Sequence, residues 1–312
     1  MQGIAAILLA VFLLSFSDGL VKLIGARFGL GQLVLLRSLV AVGLLGGAML
    51  VFARAEVSMF RHSGWVWARS LCLAAMWLCY YAALPSMSFA LAAACYYTTP
   101  VWMALMSRLM LGTVISRRRW GAIFLTMAGV ILVVDPDPES LSPVLLLPLA
   151  AAGFYALSGI ITWRKCQQET PGVMALNLNL CLCILSGLGM IGLGILRPEG
   201  ATGFVMAVWP VLEPADWLLV ACLGGLLAII SVAVAMAYRL APTPVVGMFD
   251  TAYLAFAALW GGVLFGAVPA YHEVAGMAVI AAGVVLASGG RVPRRSPHSM
   301  VPVLPGGMHR GV

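Results

Sequence analysis

Phe89 to Leu111 reads FALAAACYYTTPVWMALMSRLML. At 1.5 Å per residue a helix of this length crosses the roughly 30 Å hydrocarbon core of a bilayer. Its middle, Tyr96-Tyr97-Thr98-Thr99-Pro100, interrupts an otherwise apolar run with hydroxyls and a proline. A helix that faces only lipid has no use for such a knot, and a soluble core helix seldom runs so far on so little charge. The stretch reads as a helix lining a cavity inside a membrane bundle.

Composition supports the membrane. The 312 residues are 62% hydrophobic and 9% charged, against about 25% charge in soluble domains, and the mean hydropathy is +1.04. Water cannot solvate such a surface, so the expected fold class is all-α integral membrane. The apolar segments are too long and continuous for outer-membrane strands. The net charge of +7 does not point to nucleic acid, because the basic residues gather at segment ends. The cysteines lie mostly inside apolar segments and no histidines support a metal-ligand spacing. They read as small buried hydrophobes, and no metal or cofactor is expected. The first segment lacks a basic leader and a small-residue cleavage site, so it is expected to be a retained helix.

Ten apolar spans can be placed, over residues 4–23, 32–52, 65–84, 88–111, 120–134, 143–163, 172–196, 217–238, 243–265 and 270–288. Backbone groups in lipid must bond within their own segment, hence helices. With both termini in the cytoplasm, 14 of the 18 basic residues fall on cytoplasmic loops, span ends and the tail. These include Arg117, Arg118, Arg119, Arg164, Lys165, Arg294 and Arg295. Lys22, Arg27, Arg197 and the intramembrane Arg37 are the remainder. That is a strong positive-inside bias. Trp65, Trp120, Trp209 and Trp217 sit at span ends as an interfacial belt.

The chain also echoes itself. LMLG at Leu109–Gly112, followed by GAIFLTMAGVILV at Gly121–Val133, matches VLFG at Val263–Gly266 and AGMAVIAAGVVLA at Ala275–Ala287, at an offset of 154 residues. Five spans per half turn the second copy over in the membrane, giving two inverted five-helix repeats. In secondary transporters so built, the solute site lies between the halves. The expected division is residues 1–138, 139–290 and a disordered cytoplasmic tail, 291–312.

The five-span halves, the LxLG before a glycine-rich last span and the short loops resemble the drug/metabolite transporter superfamily, in its EamA-like branch. The opening hairpin from Phe12 to Ala41, with Arg37 early in the second span, is similar to that family's first hairpin. The resemblance covers about residues 3–290. One departure is visible: the family usually places glutamate after the LxLG glycine, and here Thr113 and Ala267 stand there. The resemblance implies a cavity lined by spans 1, 3, 4, 6, 8 and 9, and no ATP-binding part.

Ionisable residues within spans are costly and suggest function. Asp18 and Lys22 share a helical face, can pair, and with Arg37 form either a clamp between spans 1 and 2 or a gate near the outer mouth. Arg37 leans towards structure, since span 2 is expected outside the cavity ring. Asp250 stands alone near the middle of span 9 and is the candidate proton carrier or solute contact, with Tyr253 extending its stripe. In span 4, Tyr96, Tyr97 and Thr99 surround Pro100, which frees the Tyr96 carbonyl for solute or water. Tyr80, Tyr81, Trp102, Tyr155, Ser158 and Trp260 add amphipathic wall. Gly121, Gly129, Gly276 and Gly283 are expected to let helices pack closely. Asn177 and Asn179 are expected to bond across helices.

The function expected is secondary active transport of a small metabolite by alternating access across the cell inner (plasma) membrane, with protons as a candidate coupling ion. Amino-acid-like, nucleoside-like, vitamin and aromatic compounds all suit an aromatic, weakly charged pocket. The partners are this solute, protons and membrane lipids, with no nucleic acid, in a monomer or homodimer. The alternative is a polytopic enzyme acting on a lipid or prenyl substrate. Isolated histidines and the absence of an acidic cluster within the spans speak against it, and no Walker motif supplies ATP coupling.

Overall fold

The structure, a computed structural model, describes residues 2–52, 64–111, 116–134, 142–166, 168–196, 203–240 and 249–288. The expected tail (291–312), the acidic connector from Asp135 to Glu139, Gly112, Thr113 and the start of the ninth span lie outside the described residues.

The described chain is helical, with no strand among the described residues. The helices are α1 (Gln2–Ile24), α2 (Leu30–Phe52), α3 (Gly64–Ala83), α4 (Phe89–Tyr96), α5 (Thr99–Leu111), α6 (Arg117–Val134), α7 (Leu146–Lys165), α8 (Pro171–Leu196), α9 (Pro214–Leu240), α10 (Ala252–Phe265) and α11 (Tyr271–Ser288). Six spans over α1, α2, α3, α7, α8 and α9 are long and apolar enough to cross a bilayer, and α6, α10 and α11 carry shorter apolar stretches. The outward surface is itself apolar. Leu44, Phe124, Ile131, Leu188, Ile191, Leu218 and Ile229 are all exposed, as a lipid-facing belt requires. The protein is a multi-pass membrane protein.

Packing follows a paired scheme. α6 lies against α11, and α2 against α8. α3 packs on α7 as α9 packs on α1, and α2 meets α9 as α8 meets α3. α1 contacts α10 as α7 contacts α4 and α5. Every one of these contacts has its counterpart five spans along the chain. α1, α3, α4–α5, α7, α9 and α10 surround the centre, while α2 and α8 close the wall between α3 and α9.

Small residues explain the α6–α11 contact. A Cβ on Gly129 would come within 2.8 Å of the Gly276 carbonyl oxygen, and one on Gly283 within 2.4 Å of Thr126 Oγ1. The backbones approach so closely that only hydrogen fits. The glycine of the second LxLG serves another purpose. Gly266 closes α10 in the left-handed conformation, φ +63°, where L side chains are strained.

The fourth span departs from expectation. It is not one helix but two short ones, α4 and α5, joined by a turn at Tyr97–Thr98. Pro100 cannot donate to a carbonyl one turn back, and the chain uses hydroxyls instead. Thr98 Oγ1 donates to the Cys95 carbonyl at 2.8 Å and Thr99 Oγ1 to the Tyr96 carbonyl at 2.7 Å. The Tyr96 carbonyl, expected to be free for solute, is therefore engaged by its own threonine. The ninth span shows the same feature. A turn at Thr251 precedes α10, and Thr251 is Tyr97 plus the 154-residue offset. Asp250, expected mid-helix, sits at this turn.

Candidate functional site

Asp18 is the hub. Its carboxylate is 2% exposed and faces the middle of the bundle from α1. Tyr81 Oη donates to Oδ1 at 2.9 Å, and Tyr253 Oη donates to Oδ2 at 2.6 Å. Tyr80 and Tyr253 hydroxyls are 3.0 Å apart. With the Tyr253 proton committed to Asp18, Tyr80 is the donor in that pair. Arg37 Nη1 donates to Tyr81 Oη at 2.5 Å, and its guanidinium lies over the Trp77 ring at 5.0 Å and the Tyr81 ring at 4.6 Å. One carboxylate thus gathers hydroxyls from α3 and α10 and, through Tyr81, the charge of Arg37 on α2.

Two expectations change here. Asp18 does not pair with Lys22, because its oxygens are taken by tyrosines. Lys22 turns the other way, and Nζ donates to the Leu84 and Met87 carbonyls at 2.7 and 2.5 Å. Arg37 is not outside the wall: it is fully buried and joins the centre, because α2 and α8 fill the gap between α3 and α9. Its Nε and Nη2 have no hydrogen-bond partner among the described residues.

Asp250, partly buried, adjoins this group through Tyr97. Tyr97 Oη donates to the Asp250 carbonyl at 2.8 Å, and it stands 3.3 Å from Oδ2. This contact joins the two helix breaks, each from a different half of the chain. Ring contacts make the tyrosines continuous. Tyr96 touches Tyr80, Tyr97 and Tyr155 at centroid separations of 5.5, 5.6 and 5.6 Å, and Tyr97 touches Tyr253 at 5.6 Å. Six of the chain's eight tyrosines meet here.

Other expected residues lie around this cluster or apart from it. Thr99 is buried at the break and caps it. Ser158 Oγ donates to the Tyr155 carbonyl of its own helix at 2.7 Å, so it shapes α7 and does not face the tyrosine hydroxyls. Trp102 packs beside Gly153 on α7. Trp260 packs on Phe12 and Phe16 of α1, at 5.3 and 4.7 Å, with its Nε1 buried and without a hydrogen-bond partner among the described residues. Asn179 does not bond across helices: Nδ2 donates to the Ala175 carbonyl at 2.9 Å, one turn back.

Two features were not foreseen. Arg69 on α3 donates from Nε to Thr162 Oγ1 at 2.9 Å, although its position near a span end placed it among cytoplasmic charges. Phe89 packs on Tyr253 at 6.3 Å and separates the tyrosines from a cleft lined by Lys22, Phe89, Gly261, Phe265 and Glu273, among others. Among the described residues no group of histidine, cysteine, aspartate or glutamate could hold a metal.

Chemically, the cluster offers aromatic faces, hydroxyls that can donate or accept, and two carboxylates. It can grip a flat solute by stacking and fix it by hydrogen bonds at the edges. It contains no activated nucleophile or metal-ligand set among the described residues.

Known proteins share this architecture. Residues 1–135 match the EamA-like transporter family. A riboflavin transporter of Rhizobium johnstonii is 28% identical over 228 residues, 72% of this chain and 70% of that protein. A riboflavin transporter of Vibrio cholerae is 27% identical, covering 60% of this chain and 58% of its own length. One of Brucella anthropi is 24% identical, covering 59% and 61%. A solved crystal structure shares the fold over 92% of this chain and 94% of its own, with TM-score 0.63 at 21% identity.

Proposed function

We propose, from the match of residues 1–135 to the EamA-like transporter family and the reading of the chain as a membrane transporter and not an enzyme, that it carries a flavin-like solute by alternating access. The observation that carries this reading is the Asp18–tyrosine–Asp250 cluster where the two broken helices meet. Discontinuous helices at the junction of two halves are where secondary transporters bind solute. The five-span correspondence of packing supports two inverted repeats, with ten spans and both termini cytoplasmic.

Riboflavin has a three-ring plane and a polyhydroxyl tail. The Tyr80, Tyr96, Tyr97 and Tyr155 rings suit the plane, and Asp18 and Asp250 suit the hydroxyls. The names of the relatives support this choice within the wider range of aromatic and vitamin-like solutes. Asp250 is the candidate for proton coupling, and the inner membrane the proposed location.

The test is counterflow of radiolabelled riboflavin in proteoliposomes holding the purified protein. Accumulation above empty vesicles, competed by unlabelled flavin and not by amino acids or nucleosides, is the expected result. Equal counterflow in empty vesicles would reject the solute, and activity with an amino acid alone would redirect it.

A further inference from the structure

Arg69 is a second buried guanidinium, and the reading above leaves it unused. It stands in the second turn of α3. Trp67 and Leu71 on the same helix are exposed and point about 160° away from it, so Arg69 faces the bundle and not the lipid. Leu73, Met76 and Tyr80 continue its face one, two and three turns on, and all three are buried. Arg69 therefore lies on the wall that carries Tyr80 into the tyrosine cluster, roughly 16 Å further along the axis.

α7 supplies the facing wall. Tyr155, Ser158 and Thr162 share one side of that helix. Thr162 Oγ1 donates to the Ser158 carbonyl at 2.8 Å and accepts from Arg69 Nε at 2.9 Å. This bond fixes the guanidinium, yet Nη1 is buried without a hydrogen-bond partner among the described residues. No carboxylate among the described residues pairs with it. Tyr155 and Cys166 lie within its electrostatic reach, and Tyr155 touches Tyr96 of the cluster at 5.6 Å. A buried donor left unpaired destabilises a fold, and a charge within a span that faces the bundle marks a solute or ion path.

We propose that Arg69 is a further solute-binding residue, whose Nη1 donates to an oxygen acceptor of the solute on the cytoplasmic side of the cluster. A ring carbonyl of a flavin is such an acceptor. The idea rests on the transport reading: Nη1 meets no solvent in this conformer, and alternating access opens the path that brings an acceptor to it. A lipid phosphate offers the same chemistry, and the test separates the two.

The test uses Leu73→Cys, one turn from Arg69 on the same face, in the full chain in inside-out membrane vesicles. An anionic sulfonatoethyl and a cationic trimethylammonioethyl methanethiosulfonate label the new thiol from the cytoplasmic side. Fragment-ion mass analysis reads position 73 apart from Cys72, Cys79 and Cys95. The anionic reagent is expected to react about fivefold faster than the cationic one, and Arg69→Gln to bring the ratio near one. Arg69→Lys should keep the preference, which shows that a lost fold is not the cause. Riboflavin should protect position 73, and Arg69→Gln should raise the half-protecting concentration about tenfold, the worth of one charged hydrogen bond.

A thiol at position 73 that never reacts in the folded protein overturns the site, because Arg69 is then only a tie between α3 and α7. A charge ratio unchanged by Arg69→Gln overturns it too, as does a half-protecting concentration that does not move. So does a protein that transports riboflavin while position 73 is never protected. Protection by added phosphatidylglycerol and not by flavin assigns Nη1 to a lipid headgroup and also overturns it. If riboflavin is neither transported nor protective, the flavin reading fails separately, and the site stands or falls on the charge ratio.

Discussion

Replacing Tyr253 by phenylalanine removes one oxygen and nothing else from the packed cluster. The ring keeps its contacts with Tyr97 and Phe89 at 5.6 and 6.3 Å. What goes is the 2.6 Å donation to Asp18 Oδ2 and the 3.0 Å contact with Tyr80. A hydrogen bond to a charged group contributes about 1.5–3 kcal/mol. Interhelical bonds in membranes average nearer 0.6 kcal/mol, with a maximum near 1.7. Asp18 is buried and ionisable, and its hydroxyl donors come from α3 and α10, so the upper part of the membrane range applies. A double-mutant cycle of Tyr253→Phe and Asp18→Asn, read by equilibrium unfolding in sodium dodecyl sulfate, should give a coupling of about 1–2 kcal/mol. The bond ties α1 to α10, so its loss should also shift the balance between conformers by about 5- to 30-fold. Cysteine labelling at the two ends of the bundle reads that shift. Additivity within about 0.3 kcal/mol, with unchanged labelling, would refute the claim that Asp18 holds the halves together.

Other outcomes follow from the same geometry. Tyr97→Phe should lower riboflavin counterflow several-fold while thermal unfolding moves little, since the ring contacts with Tyr96 and Tyr253 remain; full activity would remove the link between the breaks from the mechanism. Asp250→Asn should abolish stimulation of uptake by a pH gradient and spare counterflow; a fully retained pH response ends the case for Asp250 as proton carrier. Gly276→Leu should destabilise the protein by about 1–3 kcal/mol or more, because even a Cβ there would lie 2.4 Å from Val133 Cγ2; an unchanged melting temperature contradicts the close α6–α11 contact. Arg27→Ala should cost about 1–3 kcal/mol, because Arg27 is half exposed but its partner at 3.0 Å, Asp216, is buried and loses its counter-charge; a loss under about 0.5 kcal/mol on chemical unfolding would show that water takes over the pairing.

The membrane class, the helices and the polar knot in the fourth span were legible because lipid imposes simple rules of length and hydropathy. Tyr80, Tyr81, Tyr96, Tyr97, Tyr155, Asp18, Asp250 and Tyr253 were all picked out as polar groups within spans, and all belong to one cluster. Their partners were not legible. Helical spacing placed Asp18 beside Lys22, but side-chain reach and two better donors on other helices decided otherwise. The carbonyl released by Pro100 looked free because a sequence shows which bond proline removes, not which hydroxyl replaces it. Span 2, expected outside the cavity ring, closes it, because span order alone does not show which helices fill the gap between α3 and α9; Arg37's lean towards structure agrees with its tie to Asp18 through Tyr81. Phe89 carried no polar signature, and only its place against Tyr253 gives it a role.

The burial of Arg37 constrains how the protein is made. A guanidinium at the centre of a span disfavours insertion by about 2.5–3.5 kcal/mol, and Arg37, in the first half of α2, approaches that cost against the leucines and valines around it. Its compensation, the Tyr81 hydroxyl and the Trp77 face, lies on α3, which leaves the ribosome later. Asp18, which completes the circuit, has already emerged on α1. The first three helices should therefore leave the translocon as a unit, and a nascent chain truncated before Trp77 should hold α2 poorly in the bilayer.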